Sequence, residues 1–379
     1  MKTSYRGYFD YASATPLDPI AISAMAPYAQ EFFYNPSALY KKARDIREVL
    51  ETERQNVASV LGVKSREIIF TAGCTEANNL AIQGVLKAHP GGTILVSATE
   101  HDSVLSALKS LPGDTIPVLA SGELDCEALR DLLNDNVVLV SVIYANNEIG
   151  TVQPLREIAI ILEEVRKKRG PNGLPLYFHS DAAQAGNYLT MKARSLGVQL
   201  MSVNGGKIYG PKASGCLFVG SEVKIEPILF GGFQESGLRS GTENLSSIVG
   251  FSRSLMQSSS MAPLESKRLI KLRDKLVIAC ESLGGILRGS RSKRLPNNIN
   301  ISFPGVDNEV MVLGLDNLGF QVASGSACHA QSGESSHVLK AIGLSEDQAR
   351  ESIRITPGRY TDEADVDNLI SALRRILAK

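Results

Sequence analysis

The sequence predicts an α/β fold: a large unit on a mostly parallel sheet flanked by helices, then a smaller α+β unit. Three observations carry this. Strand-like and helix-like segments alternate from about residue 67 to residue 219, the pattern of a parallel sheet whose crossovers are helices. Residues 137–143 form a near-continuous β-branched run, as expected of a strand buried on both faces. After about Phe230 the alternation gives way to a long, charged, amphipathic helical pattern.

Taken in order, residues 67–71 predict a strand and 75–88 a helix with Thr75 as its N-cap. A strand over 93–97 precedes a helix over 101–110, and the run 137–143 is the next strand. Pro154 suits the N1 position of a helix over 155–168. Further strands are expected over 176–179, 198–203 and 214–219. The second unit should hold a helix over 263–283, a strand over 298–303, a helix over 308–318, and strands over 320–323 and 352–356. In a last helix over 362–377, Val366, Leu369, Ile370, Leu373 and Leu377 follow helical spacing. The expected division is 13–257 for the large unit and 258–379 for the small one, joined by 1–12. The polar stretch Gln257-Ser258-Ser259-Ser260 marks the boundary.

Composition narrows the function. A chain of 379 residues with 43% hydrophobic and 21% charged residues is ordinary for a soluble enzyme. Lys+Arg and Asp+Glu are equal at 40 each, so charge balance gives no reason to expect nucleic acid or membrane as partner. The N-terminus lacks the apolar stretch of a secretory signal. Five widely spaced cysteines, with no CxxC pattern, argue against a disulfide framework and a zinc site, and for a reducing compartment such as the cytoplasm.

Eight segments carry candidate chemistry. Lys207 lies in Gly205-Gly206-Lys207-Ile208-Tyr209-Gly210-Pro211-Lys212, after His179-Ser180-Asp181-Ala182-Ala183-Gln184. A lysine in such a turn and an Asp at a strand end are the two groups a pyridoxal 5′-phosphate site needs most: a Schiff-base amine and a partner for the ring nitrogen. Thr71-Ala72-Gly73-Cys74-Thr75 sits where a strand turns into a helix, and helix N-termini suit phosphate; taken alone, simple capping explains it equally well. His101 and Asn147 also follow strands, where open α/β sheets bind ligands. His101 could stack on a ring and move a proton. The four glycines of the segment 231–244, which includes Thr242, suit either a loop close to a ligand or another subunit, or a flexible connection. Cys328, in Ser324-Gly325-Ser326-Ala327-Cys328-His329, is expected to be exposed and reactive, with His329 and His337 able to hold a thiolate. Arg354, on an apolar strand, suits either a carboxylate ligand or a structural ion pair.

Together the segments GCTEANN, EHDSVL, ANNEIGTVQP, HSDAAQ, KIYGPK, RSGTEN, SGSAC and SIRITPGR resemble the cysteine desulfurases. These belong to the class V aminotransferase group with the pyridoxal-phosphate type I fold, and the likeness runs nearly end to end. The segment from Cys328 to Val338-Leu339 is similar to the long-loop branch that serves iron–sulfur assembly. The resemblance implies that Lys207 binds the cofactor aldehyde, Asp181 pairs with the ring nitrogen, Gln184 contacts the ring hydroxyl and His101 stacks on the ring. It implies that Cys74 (through its backbone) and Thr75 hold the phosphate, with Thr242 of the other subunit of a homodimer. Asn147 and Arg354 would hold the carboxylate of L-cysteine, and Cys328 would accept its sulfur and pass it to an iron–sulfur scaffold or tRNA-thiolation protein.

One departure stands out. The family usually has Ser-x-His before the lysine, both contacting the phosphate; this chain has Asn204 and Gly206. Asn204 can still donate, Gly206 cannot through a side chain, and weaker cofactor retention is the expectation. The rival readings are a selenocysteine lyase, suggested by the Cys328-His329 pair, a class V aminotransferase, and a catalytically silent scaffold.

Overall fold

A computed structural model describes residues 5–325 and 335–378; Cys328 and His329 lie outside the described residues. Its first sheet has seven strands: β1 (Ile68–Thr71), β2 (Thr93–Ser97), β3 (Gly113–Ile116), β4 (Val137–Ser141), β5 (Tyr177–Asp181), β6 (Leu200–Asn204) and β7 (Gly215–Val219). Their order is β1-β7-β6-β5-β4-β2-β3. Strands β2 to β6 run parallel, and β7 is antiparallel to both β1 and β6. Every residue of β4 and β5 is buried, as the apolar run at 137–143 requires.

Helices cover both faces. In the first unit they are α1 (Pro19–Gln30), α2 (Lys41–Leu61), α3 (Cys74–Ala88), α4 (Asp102–Leu108), α5 (Cys126–Leu132), α6 (Leu155–Arg169) and α7 (Ala193–Leu196). Side chains alternate across the strands, so neighbours fall into different cores. Val140 and Phe178 join Val57, Ile158 and Leu255 on one side, while Leu139 and Leu217 join Leu80 and Val85 of α3 on the other. A long helix, α8 (Leu245–Ser282), then leads to an antiparallel sheet of β8 (Ile286–Leu287), β9 (Ile299–Ser302) and β10 (Ser352–Ile355). Around these lie α9 (Asn308–Asp316), α10 (His337–Ala341), α11 (Glu346–Arg350) and α12 (Glu363–Leu377). Ile301, Ile353, Leu276, Val366 and Leu369 share the core of this unit.

Several expectations are corrected. The helix expected over 263–283 starts earlier: α8 runs through Pro263 and through the polar stretch Gln257-Ser258-Ser259-Ser260. Its polarity has a packing reason, because Ser258 is 1% exposed and donates to the Ile208 carbonyl. The same helix gives Leu255 to one core and Leu269 to another. Thr75 is not the cap of α3. That position belongs to Gly73, whose φ of 117° is one that L side chains rarely adopt. Pro154 is the N-cap of α6 rather than its first residue. Residues 320–323 form no strand; Gln321 and Ala323 bridge two different partners, Tyr8 and Arg354, so no continuous ladder develops. Helices α1, α2, α5, α7, α10 and α11 and strands β3 and β8 are not among the expected elements.

The glycine-bearing segment 231–244 is pinned. Arg54 of α2 donates to both carboxylate oxygens of Glu235, at 2.7 and 2.8 Å, and the Phe70 N–H adds a third bond at 2.7 Å. Glu235 and Ser236 have φ of 47° and 59°, a left-handed backbone that persists only when surrounding contacts over-determine it.

Candidate active site

Asp181 ends β5 and is 2% exposed. Burying a carboxylate demands donors, and α3 supplies one. Asn78, four residues after Cys74, lies on the buried face of α3. Its amide nitrogen donates to Asp181 Oδ2 at 2.7 Å, and the Ala183 N–H donates to Oδ1 at 2.8 Å. The Asn78 amide also donates to Ser103 Oγ at 2.8 Å. Ser103 in turn gives its N–H to His101 Nδ1 at 3.1 Å, with its hydroxyl 2.9 Å from the same nitrogen. Nδ1 accepts, so a neutral His101 ring carries its proton on Nε2. Cys74 packs beside Asp181, and burial first, then that charge, pushes its thiol pKa well up. It is therefore a poor nucleophile.

Lys207 closes the short turn Gly205–Lys207 after β6. Asn204 Oδ1 caps that turn by accepting the Gly206 N–H at 2.9 Å. The amide of Asn204 faces the start of α3: a Cβ built on Gly73 would lie 3.9 Å from its nitrogen. Strand end, helix N-terminus and side-chain amide thus meet at one place, where backbone N–H groups and the helix dipole favour an anion.

The N-terminal segment 10–15 ties the site together. Lys207 Nζ donates to the Ser13 carbonyl at 2.5 Å. Gln184 Nε2 donates to the Ala12 carbonyl at 2.9 Å. Thr15 Oγ1 accepts the Tyr209 N–H and donates to the Gly206 carbonyl. Arg354 of β10, 1% exposed, gives Nη2 to Asp10 Oδ1 at 2.7 Å and to Ser13 Oγ at 2.6 Å. Its Nη1 reaches the Asn147 carbonyl at 3.2 Å, which also accepts from Asn298.

Below these groups runs a buried polar chain. Glu100 Oε1 accepts from Ser141 Oγ at 3.0 Å; that hydroxyl is 2.9 Å from His179 Nδ1, and His179 Nε2 is 3.0 Å from Ser202 Oγ. Burial, with Asp181 nearby, pushes Glu100 up to about 8. Burial holds His179 down to about 4.

The sequence-predicted residues Cys74, His101, Asn147, Asp181, Gln184, Asn204, Gly206, Lys207 and Arg354 belong to this connected set. Thr75 is exposed on the first turn of α3, and Thr242 is exposed on the pinned segment. Sequence reasoning assigned no role to Asp10, Ser13, Asn78 or Ser103. Asn78 left a signal: an amide among Ala77, Leu80 and Ala81 on an apolar helix face.

The family described as aminotransferase class-V matches residues 7–369. The chain belongs to this family. It is 39% identical over 381 residues to the cysteine desulfurase IscS of Dictyoglomus turgidum, covering 98% of this chain and 94% of that protein. A solved structure described as a NifS-like protein superimposes with a TM-score of 0.90 at 30% identity, over 98% of this chain and 99% of that one. Another, described as SspA in complex with cysteine, gives 0.79 at 32% identity, over 92% and 98%. Class-V aminotransferases use pyridoxal 5′-phosphate. The residues present fit it: a buried carboxylate at a strand end, a lysine amine on the next turn, and an anion cradle at the start of α3.

Two outcomes follow from this geometry. A Cβ at Gly206 would meet nothing nearer than Asn204 Oδ1 at 3.5 Å, so a side chain fits. Gly206→His should fold and retain the cofactor about tenfold more tightly or better, from a charge-assisted contact of about 1.5–3 kcal/mol. Equilibrium dialysis with absorbance of the bound cofactor measures this, and unchanged retention would show that the backbone already supplies the contact. For Glu100, the fold keeps a proton up to about pH 8, whereas the ordinary carboxyl loses it near 4.5. The folded state then binds more protons, and stability falls as pH rises from about 4.5 to about 8. Glu100→Gln should make that fall shallower in urea denaturation stepped through this range. An unchanged slope would mean that Glu100 is ionised in the fold.

Proposed function

We propose that this chain is a cysteine desulfurase that takes sulfur from L-cysteine onto Cys328 as a persulfide and releases L-alanine, for iron–sulfur assembly or tRNA thiolation. The observation that carries this reading is that Lys207 and Arg354 both bond Ser13, with Asp181 at the end of the strand beside the one that leads into Lys207. The IscS relatives and the cysteine-bound neighbour support it.

Pyridoxal 5′-phosphate, when bound, supplies an aldehyde for the substrate amine and an electron sink for its α-carbon. Lys207 would hold the aldehyde and, once displaced by the substrate amine, take the α-proton. Asp181, fixed by Asn78 and the Ala183 N–H, would keep the ring nitrogen protonated. His101, fixed through Nδ1 by Ser103, would stack on the ring, and Gln184 would contact its hydroxyl. The backbone at Cys74, with Thr75, Asn204 and the Gly206 N–H, would hold the phosphate, joined by Thr242 of a second subunit. Asn147 and Arg354 would hold the substrate carboxylate. The Cys328 thiolate would attack the substrate sulfur; the new S–S bond forms as the carbon–sulfur bond breaks, and its electron pair stays with the three-carbon fragment that becomes alanine.

We further assign the chain to a homodimer, to a reducing compartment such as the cytoplasm, and to two units, 13–257 and 258–379, joined by 1–12. Phe230 and Phe233, beside and within the pinned segment, are 80 and 95% exposed, more apolar surface than such a loop needs by itself. Among the described residues no helix is long and apolar enough to cross a membrane. The sulfur acceptor is a protein; no nucleic acid is bound directly.

Cofactor-loaded protein given L-cysteine and a reductant should yield alanine and sulfide in equal amounts. Lys207→Ala should abolish both, and Cys328→Ala should bind L-cysteine yet form no persulfide. Turnover on L-selenocysteine alone would favour the lyase, and no turnover on either the silent scaffold. Normal turnover by Cys328→Ala would remove the nucleophile assignment. Sedimentation at micromolar concentration should give a dimer that Phe233→Asp weakens; a wild-type monomer would remove the cross-subunit role of Thr242.

A further inference from the structure

Arg354 meets the protein on two edges. Nη2 is shared between Asp10 Oδ1 and Ser13 Oγ at 2.7 and 2.6 Å, and Nη1 lies on the Asn147 carbonyl. Nε is buried without a partner. Asp10 Oδ1 also accepts the Ser13 hydroxyl at 2.9 Å, so the two acceptors are locked to each other. The segment that bears them is itself fixed: Tyr11 donates its N–H to the Thr356 carbonyl, and the Ala12 N–H goes to Thr356 Oγ1. Thr356 follows β10 directly, so the guanidinium and its acceptors are referenced to the same strand.

Ser13 and Asp10 differ in charge. A hydroxyl can only orient the guanidinium, whereas a carboxylate also neutralises it. The Asp10 side chain is 19% exposed and that of Arg354 2%, so the pair is screened little. A substrate carboxylate brought to Arg354 would meet a cation already paired with an anion.

We propose that Asp10 and Ser13 are positioning residues for the substrate carboxylate, with Ser13 fixing the plane of Arg354 and Asp10 setting how strongly it binds a carboxylate. This rests on the reading that Arg354 holds that group. Removing the charge of Asp10 while keeping its acceptor should strengthen carboxylate binding; removing the Ser13 acceptor should weaken it. A role in folding alone would move both the same way.

The test uses the cofactor-loaded protein and two probes, L-alanine and L-alanine methyl ester, titrated against the absorbance of the bound cofactor. Asp10→Asn should lower the dissociation constant of L-alanine about three- to tenfold and leave that of the ester unchanged. Ser13→Ala should raise the L-alanine value and again spare the ester. With L-cysteine, KM should shift in the same direction as the L-alanine dissociation constant in each variant. Equal effects on acid and ester, shifts of the same sign in both variants, or no shift would overturn the proposal. Arg354→Lys separates the two levels. If it weakens L-alanine while Asp10→Asn does nothing, only the role of Asp10 fails. If it leaves L-alanine affinity intact, the carboxylate site is elsewhere and both readings fail.

Discussion

A buried carboxylate with neutral donors around it sets the terms for the rest of this molecule. Asp181 is almost fully removed from water, and the groups bonded to it, the Asn78 amide, the Ala183 N–H and the Cys74 thiol, are all neutral. Such a charge costs several kcal/mol unless a cation completes it. A protonated pyridine nitrogen would do so, which is why the site suits pyridoxal 5′-phosphate rather than merely tolerating it. The surrounding fold follows from placing this group. Strand β5 must be central, with both faces covered. Helix α3 must cross the sheet so that Asn78 reaches the strand end while the first turn of α3 stays open to an anion. Strand β6, whose Ser202 pairs with Asp181, must run on to Asn204, so that the turn after it brings Lys207 past the end of β5.

The N-terminal segment solves a second problem. Lys207 and Arg354 come from different sheets, and their separation must hold for one substrate to reach both. Residues 10–15 contact each directly, through the Ser13 carbonyl and the Ser13 hydroxyl. One residue thereby gauges the distance between the amine that would take the α-proton and the cation that would hold the carboxylate. This is positioning of the kind that converts binding into reactivity.

The large sheet was legible because parallel strands buried on both faces leave apolar runs, and the site because ligand groups cluster at the ends of those strands. Lys207, Asp181, His101 and Arg354 could be picked out on chemistry and placement. What the sequence hid was mostly local. The amphipathic α2 and the short α1 lie before the alternation begins and resemble no part of it. The serines of α8 look like a linker until Ser254 and Ser258 are seen donating to the carbonyls of Tyr209 and Ile208. Thr75 had the right chemistry for a cap, but the backbone at residue 73 needed a glycine. Asp10 and Ser13 were hidden differently. Their partner lies more than 340 residues away, and no periodicity encodes that.

The silent-scaffold reading can be weighed on energy. Around the candidate site the fold keeps Asn298 Oδ1, Asn300 Oδ1 and Arg354 Nε buried without hydrogen-bond partners. Each such group costs about 1–3 kcal/mol, a large share of the stability of a domain. Asn298 and Asn300 are fixed by their amide nitrogens on the carbonyls of Asn147 and Glu148. Glu148 in turn accepts from Ser336 Oγ at 2.6 Å, just before α10 and after the segment that bears Cys328. A scaffold needing only shape would gain by exchanging these groups for apolar ones of similar size, since well-packed hydrophobic replacements of buried polar pairs are often neutral or stabilising. Their concentration around Asn147 and Arg354 costs stability that a fold needing only shape would not have to spend. Local rules are broken together where a site must stay polar for a ligand. The glycine at position 206 would therefore bear on how tightly a phosphate is held, while the buried polar groups around Asn147 and Arg354 are in place.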